Sequence, residues 1–165
     1  MAELTSEMGI AKPSLYAAFG NKEELFKKAL DLYEREKMAY MAEALKEPTS
    51  RAMAAKLLMG ALEMQTSSCD PKGCLGVISA VSCGPEAATI RECVIERQES
   101  VRRIVIARLE DFKKEGDLPS DIDTEALARY MTAVLQGLSV QAGAGASKTE
   151  LKSLVDMAMR TWPGR

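Results

Sequence analysis

The sequence contains no histidine. That removes the commonest general base, the commonest metal ligand, and the base of every Ser-His or Cys-His nucleophile pair. Aromatic residues make up only 5%, with a single tryptophan. No apolar run approaches the roughly 20 residues that a membrane-spanning helix needs, and no secretory leader pattern opens the chain. A basic surplus is missing too: 22 Lys and Arg stand against 24 Asp and Glu, for a net charge of −2. Any contact with nucleic acid must then come from a local patch. The cysteines at 69, 74, 83 and 93 fit neither a CxxC redox pair nor a zinc motif by spacing. Structural roles are expected for them, with a thiol or soft-metal sensor as the minor alternative. A cytoplasmic location with reduced thiols follows as an expectation. With no phosphate loop and no metal motif, neither an enzyme nor a cofactor is expected.

What the chain does have is helix-forming residues: Ala, Leu, Met, Glu and Lys are plentiful. At 165 residues it can bury roughly 70% of its unfolded surface and needs no staple to fold. The fold class expected is all-α. Breaks are well signalled. Gly9 ends a short helix from Ala2 to Met8. Lys12–Phe19 forms a second, with Pro13 in the first turn, where a missing N–H costs nothing, and Gly20 ends it. Asn21, with Glu24 three residues on, caps a third helix running to about Leu45. Thr49 or Ser50 caps the next, to about Ser68. Cys74–Ser82 is a short buried helix, although its apolar run fits a strand by pattern alone. Pro85 opens a long helix to about Lys114. Asp123 caps one to about Ala142, and Ser147 caps the last, which ends near Trp162.

The most informative stretch is LTSEMGIAKPSLYAAFGNKEEL, Leu4 to Leu25. Gly9 supplies a turn between two short helices, and Leu4, Met8, Leu15 and Phe19 are expected to face inward. The second helix then presents its N-terminal residues outward, the geometry with which a recognition helix enters a major groove. Gly9 through Leu25, with Tyr16, Phe19 and then Lys22-Glu-Glu-Leu25, resembles the recognition helix and following helix of the TetR family of bacterial regulators. Pro71-Lys-Gly-Cys-Leu75 and Gln136 through Ala146 resemble one branch of it.

The resemblance implies a DNA-binding transcriptional regulator, a repressor, released from a palindromic operator by a small and apolar effector. Tyr16 and Lys22 should hold phosphates, and Lys12, Pro13, Ser14 and Ala17 should lie nearest the bases. The family places one more helix ahead of the first one here. The head is therefore expected to lack that helix, to leave Leu4, Met8, Leu15 and Leu25 short of cover, and to bind DNA weakly. The division expected is a head over 1–46 and a ligand and dimerisation domain over 47–165.

Met38, Met41, Met53, Met59 and Met64 cluster on successive helices. Methionine fills core gaps, and it also lines adaptable apolar pockets. The pocket residues expected are Met38, Leu57, Met64, Leu75, Ile78, Ile95, Tyr130 and Val134, with the Tyr130 hydroxyl orienting a ligand. The last two helices should pair with their copies in a homodimer through Leu127, Leu138, Leu151, Val155, Met159 and Trp162. A dimeric helical ligand-binding protein that does not bind DNA is the alternative.

Overall fold

The computed structural model describes residues 1–67, 72–82 and 87–164. Among these it is helical throughout: α1 (Ala2–Glu7), α2 (Lys12–Phe19), α3 (Lys22–Lys37), α4 (Ala39–Ala44), α5 (Ser50–Thr66), α6 (Leu75–Ser82), α7 (Ala88–Lys114), α8 (Thr124–Gly143) and α9 (Lys148–Arg160). The stretch from Leu75 that pattern alone left open is thus a helix. Pro85, Cys69 and Cys83 lie outside the described residues. No described helix is long and apolar enough to cross a membrane.

The caps follow the local chemistry. Asn21 and Glu24 form a reciprocal capping box at the start of α3, as do Ser147 and Glu150 at α9. Thr49 and Asp123 accept from backbone N–H groups at the starts of α5 and α8. Each cap satisfies donors that a helix start leaves open, worth about 1 kcal/mol apiece.

One break has no local signal. The helix expected to run from Asn21 to Leu45 stops at Lys37, and Met38 sits off the helical conformation at φ −105°, ψ 12°. The cause is tertiary. The turn at Met38 lays α4 on α5, where the Tyr40 ring covers Gly60 so closely that a Cβ there would overlap it. Ala44 is fully buried in the same core. The boundary expected at 46/47 therefore falls inside a packed unit.

That core joins α4, α5, α7, α8 and α9, centred on Leu57, Leu58, Leu109, Phe112, Leu138 and Leu151. Losing one such leucine to alanine costs about 2–5 kcal/mol. The start of α5 is tied to the end of the chain. Arg51 donates to the backbone carbonyls of Gly164, Met159 and Trp162, each at 2.9 Å, and the Ser50 N–H donates to Asp117 at 2.8 Å. The other end of α5 is held by Gln65, which donates to the Ser139 hydroxyl and accepts from the Gly73 N–H.

Candidate nucleic-acid interface and internal cavity

α1 and α2 meet through a turn in which Gly9 takes φ +63°, a value side chains rarely tolerate. Leu15 is the one buried residue of α2. Leu4 and Met8, expected inward, are 40% and 46% exposed, because no described element packs over that face of α1. Lys12, Pro13, Ser14 and Ala17 are exposed along α2. Tyr16 is half-buried, with the Lys12 ammonium 5.8 Å from its ring centre. Lys22 is exposed at the first position of α3, and the Lys28 ammonium lies 5.6 Å from the Phe19 ring. Lys12 and Lys22 thus place two exposed cations along α2 and at the start of α3, beside the carboxylates of Glu23 and Glu24, and the positive end of the α3 dipole adds to them.

A cavity of about 140 Å³ opens where α3, α4, α5, α7 and α8 converge. Leu30, Met38, Met41, Leu57, Ala61, Met64, Val94, Val105, Met131 and Leu135 supply its apolar walls. Polar groups enter from Tyr33, Glu34, Tyr40, Cys74, Arg97, Gln98, Arg102, Thr132, Gln136 and Ser139. A second, adjoining cavity of about 300 Å³ shares Tyr33 and Met64 and is bordered by Leu75 and Ile78. Burial pushes the Tyr33 and Tyr40 phenols well above their ordinary range, and hydrogen bonding with Cys74 adds to the shift at Tyr33. Both are therefore neutral hydroxyls over the whole working pH range. Arg97 reaches from α7 to α3, with Nη2 2.7 Å from Asp31 and Nη1 2.8 Å from Glu34. Burial works against its charge, but the bonds to Asp31, Cys93 and Glu34 outweigh that and raise its pKa.

The pattern described as bacterial regulatory proteins, tetR family, matches residues 1–29. The repressor ComR of Escherichia coli K12 is 29% identical over 99% of this chain and 79% of its own length. The repressor BdcR of the same organism is 29% identical over 96% of this chain and 76% of its own. Among solved structures, a cysteine mutant of the TetR family transcriptional regulator CifR, complexed with 26 bp double-strand operator DNA, superposes with a TM-score of 0.92. It is 38% identical, over 99% of this chain and 86% of that one. The chain belongs to the TetR family. A TetR regulator from Rhodococcus sp. RHA1, described as putative, is 36% identical over 99% of this chain and 88% of that one, at a TM-score of 0.73.

Within this TetR-family chain, Met38, Leu57 and Met64 line the main cavity, and Leu75 and Ile78 border the adjoining one. Three expected residues do not line either. Ile95 points outward from α7 and is exposed. Val134 is half-buried against the core. Tyr130 lies on the outer face, its hydroxyl 3.1 Å from that of Thr161, the residue that caps the end of α9. On α8 the cavity takes Met131, Thr132, Leu135, Gln136 and Ser139 instead, and residues 130 and 134 fall on another side of the helix. Of the methionine cluster, Met53 is core and Met59 packs against it.

The apolar stripe expected to pair two subunits is also placed differently. Leu127, Leu138, Leu151, Val155 and Trp162 are buried in the chain's own core, and Met159 packs against it. Most large apolar side chains of α8 and α9 turn inward, with Tyr130, Val140 and Met157 left outside. A second set repeats along the outside of α8 and its C-cap at alternating steps of four and three: Ala126, Tyr130, Ala133, Gly137, Val140 and Ala144. Val140 is 59% exposed, and Met157, on α9, 58%.

Sequence reasoning missed the polar half of the cavity. Tyr33 had the right helical spacing, but Glu34, Arg97, Gln98 and Gln136 look like surface residues on amphipathic helices.

Proposed function

We propose that the chain is a dimeric transcriptional repressor. In this reading α2 enters the major groove with Lys12, Pro13, Ser14 and Ala17 near base edges, while Tyr16 and Lys22 hold phosphates. The main cavity takes a small, largely apolar effector. It is a binding protein with no catalytic role, and it works in the cytoplasm, beside the chromosome. The division between head and body falls near Met38, since α4 shares the body's core.

One observation carries this reading. α3 begins at the capping box beside α2, and its later residues Leu30, Tyr33 and Glu34 line the cavity. A single helix of 16 residues, about 24 Å long, therefore has one end at the DNA-facing surface and the other in the ligand space. An effector that favours one placement of α3 biases the head, and it acts only through its differential affinity for the two states.

The dimer forms through the outer face of α8 and α9. The stripe from Ala126 to Ala144 repeats every seven residues in pairs, the spacing with which two helices pack closely. Its small residues permit close approach, and Met157 extends the patch. A two-fold dimer would present two copies of α2 to a palindromic site.

The test is fluorescence anisotropy of labelled DNA from upstream of the gene, at several salt concentrations. Binding that exceeds that to random DNA and weakens with salt is expected. Equal affinity for random DNA would overturn the repressor reading and favour a helical ligand-binding dimer.

A further inference from the structure

Arg97 belongs to the cavity and to the head at once. Its guanidinium lines the cavity from α7 and holds two carboxylates of α3, Asp31 at 2.7 Å and Glu34 at 2.8 Å. Glu34 lines the same cavity. The pairs are partly open to solvent, so each contributes little by itself and is readily exchanged. A second guanidinium, Arg102, lines the wall five residues along, paired with Glu99 of its own helix. Opposite, Gln136 brings an amide that makes no hydrogen bond with the described residues. The remaining walls are mostly apolar, with the hydroxyls of Tyr33, Tyr40, Thr132 and Ser139, the Cys74 thiol and the Gln98 amide among them. The volume beside Arg97, about 140 Å³, is close to that of an engineered apolar cavity of roughly 150 Å³ that holds benzene, and the adjoining space of about 300 Å³ continues beyond Tyr33 and Met64.

We propose that the effector is a single-ring or short-chain molecule bearing one carboxylate, and that Arg97 is both its anchor and the latch on the head. This rests on reading the cavity as the effector site. A carboxylate in the cavity meets the Arg97 guanidinium and competes with Glu34 for it. It also lies near the Glu34 carboxylate, and the two repel. The anion therefore binds more tightly when α3 has moved off, which is the differential affinity that a switch requires. A neutral molecule of the same shape fills the space and leaves the latch closed. Burial of an unpaired carboxylate would be prohibitive, and the guanidinium supplies the partner.

Three probes of similar size separate these ideas: benzoate, benzyl alcohol and toluene, titrated onto the full chain by calorimetry. Amide hydrogen exchange along α3 is the second readout. Benzoate is expected to bind about tenfold more tightly than benzyl alcohol, the size of one charge-assisted hydrogen bond, and it alone should speed exchange around Asp31 and Glu34. Arg97→Gln should erase the preference, and Arg97→Lys should keep part of it. Glu34→Gln should raise benzoate affinity several-fold and leave benzyl alcohol unchanged, a gain that a misfolded variant does not produce. If the two neutral probes bind as tightly as benzoate, or if Glu34→Gln leaves the ratio unchanged, the carboxylate latch is overturned and the cavity reading stands. If none of the three binds, the cavity reading falls and takes the latch with it.

Discussion

Trp162 donates its indole N–H to the Ser50 hydroxyl at 3.2 Å, tying the residues just beyond α9 to the first residue of α5. Arg51, the next residue, spreads its guanidinium over three carbonyls of the same terminal segment. Arg51→Ala leaves those acceptors without their cation and should cost about 2–4 kcal/mol. For a chain of this size that is a fall in Tm of roughly 5–10 °C, measurable by circular dichroism. Trp162→Phe, which keeps most of the packing, should cost only about 1 kcal/mol.

Gly20 adopts φ +81° between α2 and α3, and a Cβ there would overlap the Glu24 carboxylate. That carboxylate accepts the Asn21 N–H at 3.0 Å while Asn21 accepts the Glu24 N–H at 2.9 Å. Gly20→Ala strains the backbone and opens the capping box together, for about 1–3 kcal/mol. Amide exchange should quicken in the first turn of α3 and leave α5 and α8 unaffected. Uniform quickening would mean that the joint is not a local feature.

If Lys22 holds a phosphate, Lys22→Ala should weaken binding to specific and random DNA alike. The slope of log affinity against log salt should fall by about one. A selective loss for one DNA sequence would place Lys22 at a base edge instead.

Tyr33 and Tyr40 have ordinary pKa values of 10.0 in the absence of the fold, and burial raises both in it. The folded chain keeps these protons at pH values where the unfolded chain releases them. Their contribution to stability is therefore complete below pH 10 and declines as pH rises beyond it. Urea midpoints should fall through that alkaline range, and Tyr40→Phe should flatten the decline.

Val140→Asp sets a charge in the outer stripe of α8 without touching the core. Sedimentation should show a shift from dimer to monomer with the helical spectrum intact. A persisting dimer would move the interface elsewhere.

Much of this architecture was legible from residue chemistry that acts within one turn of chain. Asn21 with Glu24, Thr49, Asp123 and Ser147 marked helix starts, and Gly9 and Gly20 marked the joints of the head. The break at Met38 was not legible, because it is imposed by Tyr40 packing on Gly60, twenty residues away. Periodicity identifies the apolar face that holds Leu138 and Val155 but not which partner covers it, and here the chain's own core does. Arg97 is illegible for the same reason: its carboxylates, Glu34 and Asp31, are 63 and 66 positions earlier in the chain, beyond any helical spacing.

The wall of the main cavity includes Met38, Met41, Met64 and Met131. Unbranched thioethers re-pack around guests of different outline at little cost. Such a wall discriminates by volume and by the charged groups set in it, and hardly at all by contour. If the cavity is the effector site, a descendant could exchange one guest for another through a single substitution at the polar end, without passing through an unfolded ancestor.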